Sequence, residues 1–158
     1  MTKRVAIIAM SLWMGGIFFF AIGETPAIFA VLNGVEHGRG MAAQVVGHSL
    51  FVLHVTGLVC GAIALIVLLM ARAHDKIAIP LLGFALALTA FSQFGIMPRI
   101  QNLHPEGTHF HELPADDTRR VQCSALHNIS TGLEGAIFLC GIVALWRMGG
   151  DPRYYSED

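Results

Sequence analysis

An all-α integral membrane protein, a bundle of four transmembrane helices, is the fold the sequence predicts, and three observations predict it. The 158 residues are 54% hydrophobic and only 13% charged, whereas soluble domains carry roughly 25% charged residues. Four apolar stretches, 5–32, 45–71, 77–97 and 121–146, each reach the about 20 helical residues that cross a hydrocarbon core. Polar residues collect between these stretches and at the chain ends, and the mean hydropathy is +0.62. Residues 1–158 therefore read as one membrane domain. A disordered chain would be polar and highly charged. Nucleic acid is excluded as a partner, since Lys+Arg 10 against Asp+Glu 11 leaves no basic surplus. Three cysteines do not make a disulfide scaffold.

Taken in order, the first span follows Lys3 and Arg4, as a secretion signal would. Its apolar run continues to residue 32, beyond the roughly 7–15 residues of a signal core, so it reads as a retained helix. A short Gly-rich turn, 33–44, leads to the second span, where Gly57 and Gly61 form a GxxxG pair suited to close backbone approach. The tight connection 72–76 makes the second and third helices antiparallel. The longest connection, 99–120, carries His104, His109 and His111 with several carboxylates, and loops of that length are commonly functional. The fourth span ends in a polar tail, 148–158, expected to be flexible. No convincing internal repeat stands out, so an inverted-repeat transporter has no support.

Orientation follows Lys and Arg. With the N-terminus inside, the inner side holds Lys3, Arg4, Arg72, Lys76, Arg147 and Arg153; the outer side holds Arg39, Arg99, Arg119 and Arg120. Both termini are expected in the cytoplasm, with the bacterial inner membrane as location.

Polar residues inside a membrane bundle are costly facing lipid and should face the interior. At about 100° per residue, Cys123, His127, Ser130, Glu134 and Gly141 share one stripe of the fourth helix. Glu24 lies on a face of the first helix with Gly16, Phe20, Gly23 and Ala27, and His54 on a face of the second with Gly47, Phe51, Gly57 and Gly61. Gln93 edges the small-residue face of the third. His48 projects about 120° from His54 and reads as interfacial. Counted along each helix, the ionisable and polar groups among these and Arg99 gather in the outer half, beneath the histidine-bearing loop, with only Glu134 nearer the midplane.

Such a gathering supports several chemistries. His54 and His127, on two helices, suit axial ligation of haem b iron. The same imidazoles suit copper or zinc, with Cys123 and Glu24 as further ligands and His104, His109 and His111 as a collecting tract. Glu24, His127 and Glu134 could instead pass protons or bind a cation. The plainer reading is a set of interhelical hydrogen bonds and ion pairs, such as Glu24 with Arg99. Cys60 and Cys140 read as small apolar residues. Hydrolase, Walker and dinucleotide motifs are absent, so redox activity would follow only from haem. The leading reading is a metal or haem site held by His54 and His127; the alternatives are a metal or drug exporter or proton-coupled carrier, and an accessory subunit of a membrane complex. A carrier made of one four-helix unit would need a homo-oligomer to enclose a route.

Two stretches carry a family resemblance. Leu12-Trp13-Met14-Gly15-Gly16 is followed by Thr25-Pro26-Ala27-Ile28-Phe29 and the 36–38 turn; Ile96-Met97-Pro98-Arg99 is followed by Leu126-His127 and Ser130. The chain resembles the transmembrane protein 205-like proteins, which share the domain of unknown function numbered 4149. In layout it is also similar to the copper-resistance D proteins and to a small haem-binding porphyrinogen oxidase family. The resemblance implies a four-helix membrane protein and favours metal or haem. Pro26, Pro98, Arg99, His127 and Ser130 match family positions, whereas Glu24, His48 and His54 lie outside the pattern.

Overall fold

The computed structural model describes residues 2–70, 76–103, 114 and 116–150. These residues form four long helices and no strand. Helix α1 runs as Thr2–Phe19, a π turn Phe20–Glu24 and a final segment Thr25–Val31. Helix α2 is Gly38–Met70. Helix α3 runs as Ala78–Phe91, a π turn Ser92–Ile96 and Met97–Leu103. Helix α4 is Thr118–Gly150. All four are long and apolar enough to cross a membrane.

Both π turns have the same cause. Pro26 and Pro98 lack an N–H, so the carbonyl four residues earlier loses its partner, and the ring crowds that turn. Widening by one residue absorbs the defect: Thr25 N–H bonds to the Phe20 carbonyl, and Met97 N–H to that of Ser92. At most ends the helices run further than the apolar stretches. Residues 99–103, expected in the outer loop, are helical because the π turn lets α3 continue past Pro98. Residues 148–150, expected in a flexible tail, belong to α4, where Met148 is a core residue. The turn after α1 occupies only 32–37 and uses Gly34 and His37 at positive φ. The 72–75 part of the inner turn and the tail from 151 lie outside the described residues.

Packing closes the four helices into a ring. α1 lies along α2 and α3 along α4, and the pairs join through α2 with α3 and α1 with α4. In lipid the hydrophobic effect gives helices no reason to associate, so close contact between small residues must hold them. Buried alanines (Ala6, Ala64, Ala78, Ala85, Ala144) and Gly57, Gly61 and Gly141 supply it, around Trp13, Met10, Leu82 and Ile137. Large apolar side chains such as Phe18, Ile66, Phe94 and Trp146 are exposed, as a lipid-facing surface requires.

This core fills only one half of the bundle, the half holding the start of α1 and the end of α2. In the other half, the π turn and final segment of α1 bury nothing, and α4 buries nothing before Ser130. There the last segment of α1 packs on α2 and that of α3 on α4, with few contacts between the pairs. One half is closed, the other open.

Candidate functional site

At the boundary between the halves, three helices meet through polar side chains. His54 is the central residue of α2, with 16 residues on either side, and Glu134 stands at the centre of α4 in the same way. Gln93 lies in the π turn of α3. The interior stripe of α4 (Ser130, Glu134, Ile137, Gly141, Ala144) turns the carboxylate inward, as the heptad spacing requires. His54 is 2% exposed and uses both ring nitrogens: Nδ1 lies 2.9 Å from Gln93 Oε1, and Nε2 lies 2.5 Å from Glu134 Oε1.

The donor count constrains the chemistry. Gln93 presents a carbonyl oxygen, which only accepts, so Nδ1 carries hydrogen. Nε2 and Oε1 then share one proton, either as imidazolium with carboxylate or as neutral imidazole with carboxylic acid. Both arrangements leave the pair with zero net charge, which suits a buried site. Glu134 keeps 16% exposure, so the pair has one route to its surroundings, through the carboxylate.

The expected gathering is met in part. Gln93 and Glu134 join His54, and Ser130 is buried one turn from Glu134. His127 does not join them. Its position on α4 belongs to the interior stripe, yet its side chain is exposed, because the bundle is open at that level. Glu24 is half-buried in the π turn of α1, and Cys123 is half-buried near the start of α4. Arg99 is exposed, and among the described residues no ion pair joins it to Glu24. His48 is exposed, as its projection predicts. His104, His109 and His111 lie outside the described residues.

Among the described residues the expected haem or metal ligands are not brought together. An imidazole nitrogen must offer a lone pair to iron, copper or zinc. Both His54 nitrogens are engaged, and His127 is exposed rather than facing His54. Among the described residues no three of His, Cys, Asp or Glu stand close enough to hold an ion.

Two buried hydroxyls escape the sequence reading. Ser92 Oγ and Thr25 Oγ1 are buried without hydrogen-bond partners, whereas Thr89 bonds back to the Ala85 carbonyl at 2.8 Å. The pairing of His54 with Glu134 escapes it too, although their identical central placement in helices of equal length is a readable signal. No curated protein and no solved structure matches the chain. A family model described as a domain of unknown function, DUF4149, matches residues 8–109, which take in most of α1 and all of α2 and α3, with His54 and Gln93. That match spans more than half of the chain, which belongs to the DUF4149 family.

Proposed function

We propose that this membrane protein is a proton-coupled carrier in which the His54–Glu134 pair takes up and gives back a proton. The observation that carries this reading is the pair itself: two titratable groups from two helices, hydrogen-bonded at mid-bundle and held by Gln93 from a third. Ionisable groups at such depth are costly unless used, and proton relays are their common use. The open half supports the same reading, because Glu24 on α1, His127 and Cys123 on α4 and His48 on α2 supply further titratable groups between the pair and that face. The core of the closed half holds no histidine or carboxylate among its described residues. In this reading the open half faces the periplasm of a bacterium, with both termini in the cytoplasm, and copies assemble as a homo-oligomer.

The test is proton entry into vesicles. Purified protein is reconstituted around an entrapped pH dye, and a potassium diffusion potential drives protons inward. Wild-type vesicles are expected to acidify several-fold faster than protein-free ones. Glu134→Gln is expected to return the rate to that of the bare vesicle. A wild-type rate equal to bare vesicles, or an equal rate in Glu134→Gln, overturns the reading.

A further inference from the structure

α1 and α3 are built alike. The π turns Phe20–Glu24 and Ser92–Ile96 lie 72 residues apart, and so do the seven-residue segments Thr25–Val31 and Met97–Leu103 that follow them. The residues that shape them keep the same interval: Phe19, Gly23 and Pro26 recur as Phe91, Gly95 and Pro98. In both turns a Cβ on the glycine would stand 3.2 Å from the phenylalanine ring. The buried residues Ala78, Leu82, Ala85 and Thr89 fall on Ala6, Met10, Trp13 and Ile17, buried as well.

α2 and α4 correspond in turn. Each has 33 residues, and at an interval of 80 Cys60-Gly61 and Ala64-Leu65 recur as Cys140-Gly141 and Ala144-Leu145. His54 and Glu134 are counterparts at that same interval. Packing gives an independent check. A Cβ on Gly61 would collide with Leu86, and one on Gly141 with Met14. Leu86 is the α3 counterpart of Met14, so one contact is made twice, by α2 against α3 and by α4 against α1. Contacts repeated in this way are those that half a turn about an axis along the bundle would generate. The repeat is direct, since α1 and α3 run the same way, and few identical residues betray it in the sequence.

We propose that the chain is a tandem duplication of one helical hairpin, and that the hairpins α1–α2 and α3–α4 rock against each other about their glycine contacts. The His54–Glu134 pair ties them across the axis. The contacts of Gly61 with Leu86 and of Gly141 with Met14 lie in the closed half and form the pivot; the open half, with few contacts between hairpins, supplies the travel. Parallel repeats moving as bodies around a midplane site are one architecture of alternating access. The proposal rests on the carrier reading only for the purpose of the motion.

The test measures distances between spin labels by pulsed electron paramagnetic resonance on the full chain in lipid nanodiscs, with Cys60, Cys123 and Cys140 replaced by alanine. Ala30→Cys with Asn102→Cys reports the open ends of α1 and α3, and Val5→Cys with Ile77→Cys reports their closed ends; all four positions are exposed counterparts at the 72-residue interval. Cutting the tie with Glu134→Ala, and separately weakening it with the size-conserving Glu134→Gln, is expected to shift or broaden the open-end distance by several ångströms. The closed-end distance is expected to stay. An unchanged open-end distance in both variants, or equal changes at both ends, overturns the proposal. Proton entry is measured apart, so movement without flux removes the carrier reading alone, and flux with rigid ends removes this one alone.

Discussion

Removing the Glu134 carboxylate leaves His54 buried with Nε2 facing no partner. Breaking a buried pair from one side costs about 3–5 kcal/mol, and Glu134→Ala is expected to lose that much in reversible unfolding in mixed micelles. Gln93→Ala removes one interhelical hydrogen bond and is expected to cost about 0.6–1.7 kcal/mol, so an equal loss for both would mean that the pair is not the stronger tie. Much of this site is legible in the sequence. The spacing of Ser130, Glu134 and Gly141 points the carboxylate inward, and the glycine-flanked His54 points inward too. What spacing cannot give is how far a neighbouring helix extends over a stripe. His127 stands seven residues before Glu134 on the same stripe, so projection alone makes it as good a partner for His54. It is exposed because the bundle parts at its level, a property of the other helices and not of α4.

Among the elements, the four helices are plain from hydropathy, but their ends are not. A proline at 98 reads as a stop; only the π turn, which costs one widened hydrogen-bond ring, lets α3 run on to Leu103. The seam between α1 and α2 has a sharper requirement. A Cβ at Gly57 would collide with the Trp13 indole, itself 1% exposed and without room to retreat. Gly57→Ala is therefore expected to cost about 1–3 kcal/mol by overpacking, with recovery when Trp13→Leu is added, measured as a double-mutant cycle. At the start of α4, Asp117 Oδ1 accepts the Arg119 backbone N–H at 2.8 Å, while the guanidinium stands 3.3 Å from Oδ2. These bonds from Arg119 hold the Asp117 carboxyl below its ordinary value. A carboxyl lowered on folding stabilises fully above its unfolded pKa and loses that contribution as pH falls through the lowered one. Protection of the amides in the first turn of α4, relative to their intrinsic exchange, is expected to fall in that acidic window, and Asp117→Asn to make that protection insensitive to pH there. An unchanged pH response in the variant would remove Asp117 as the cap.

For the whole molecule, the two-fold relation makes His54 and Glu134 interchangeable sites. The exchange His54→Glu with Glu134→His should rebuild the pair, so the double variant is expected to recover most of the stability that either single variant loses. Recovery of less than half would mean that the surroundings of the two positions differ more than the duplication implies. The asymmetric element is Gln93, whose counterpart is Ala21, and the shortfall in recovery measures its share. This relation is the least legible part of the fold. In a membrane bundle many apolar side chains satisfy one lipid-facing position, so two copies can diverge in sequence while the geometry of prolines, glycines and buried alanines is retained.

His54 and Glu134 also belong to different moments of synthesis. A ribosome adding about 5–20 residues per second delivers the carboxylate about 4–16 s after the imidazole, given the 80 residues between them. During that interval the first hairpin waits in the bilayer without its acidic partner, and burying a bare cation there is far costlier than burying a neutral ring. The polar tie between the two hairpins therefore forms only once α4 is in the bilayer, which makes it a late contact of the bundle.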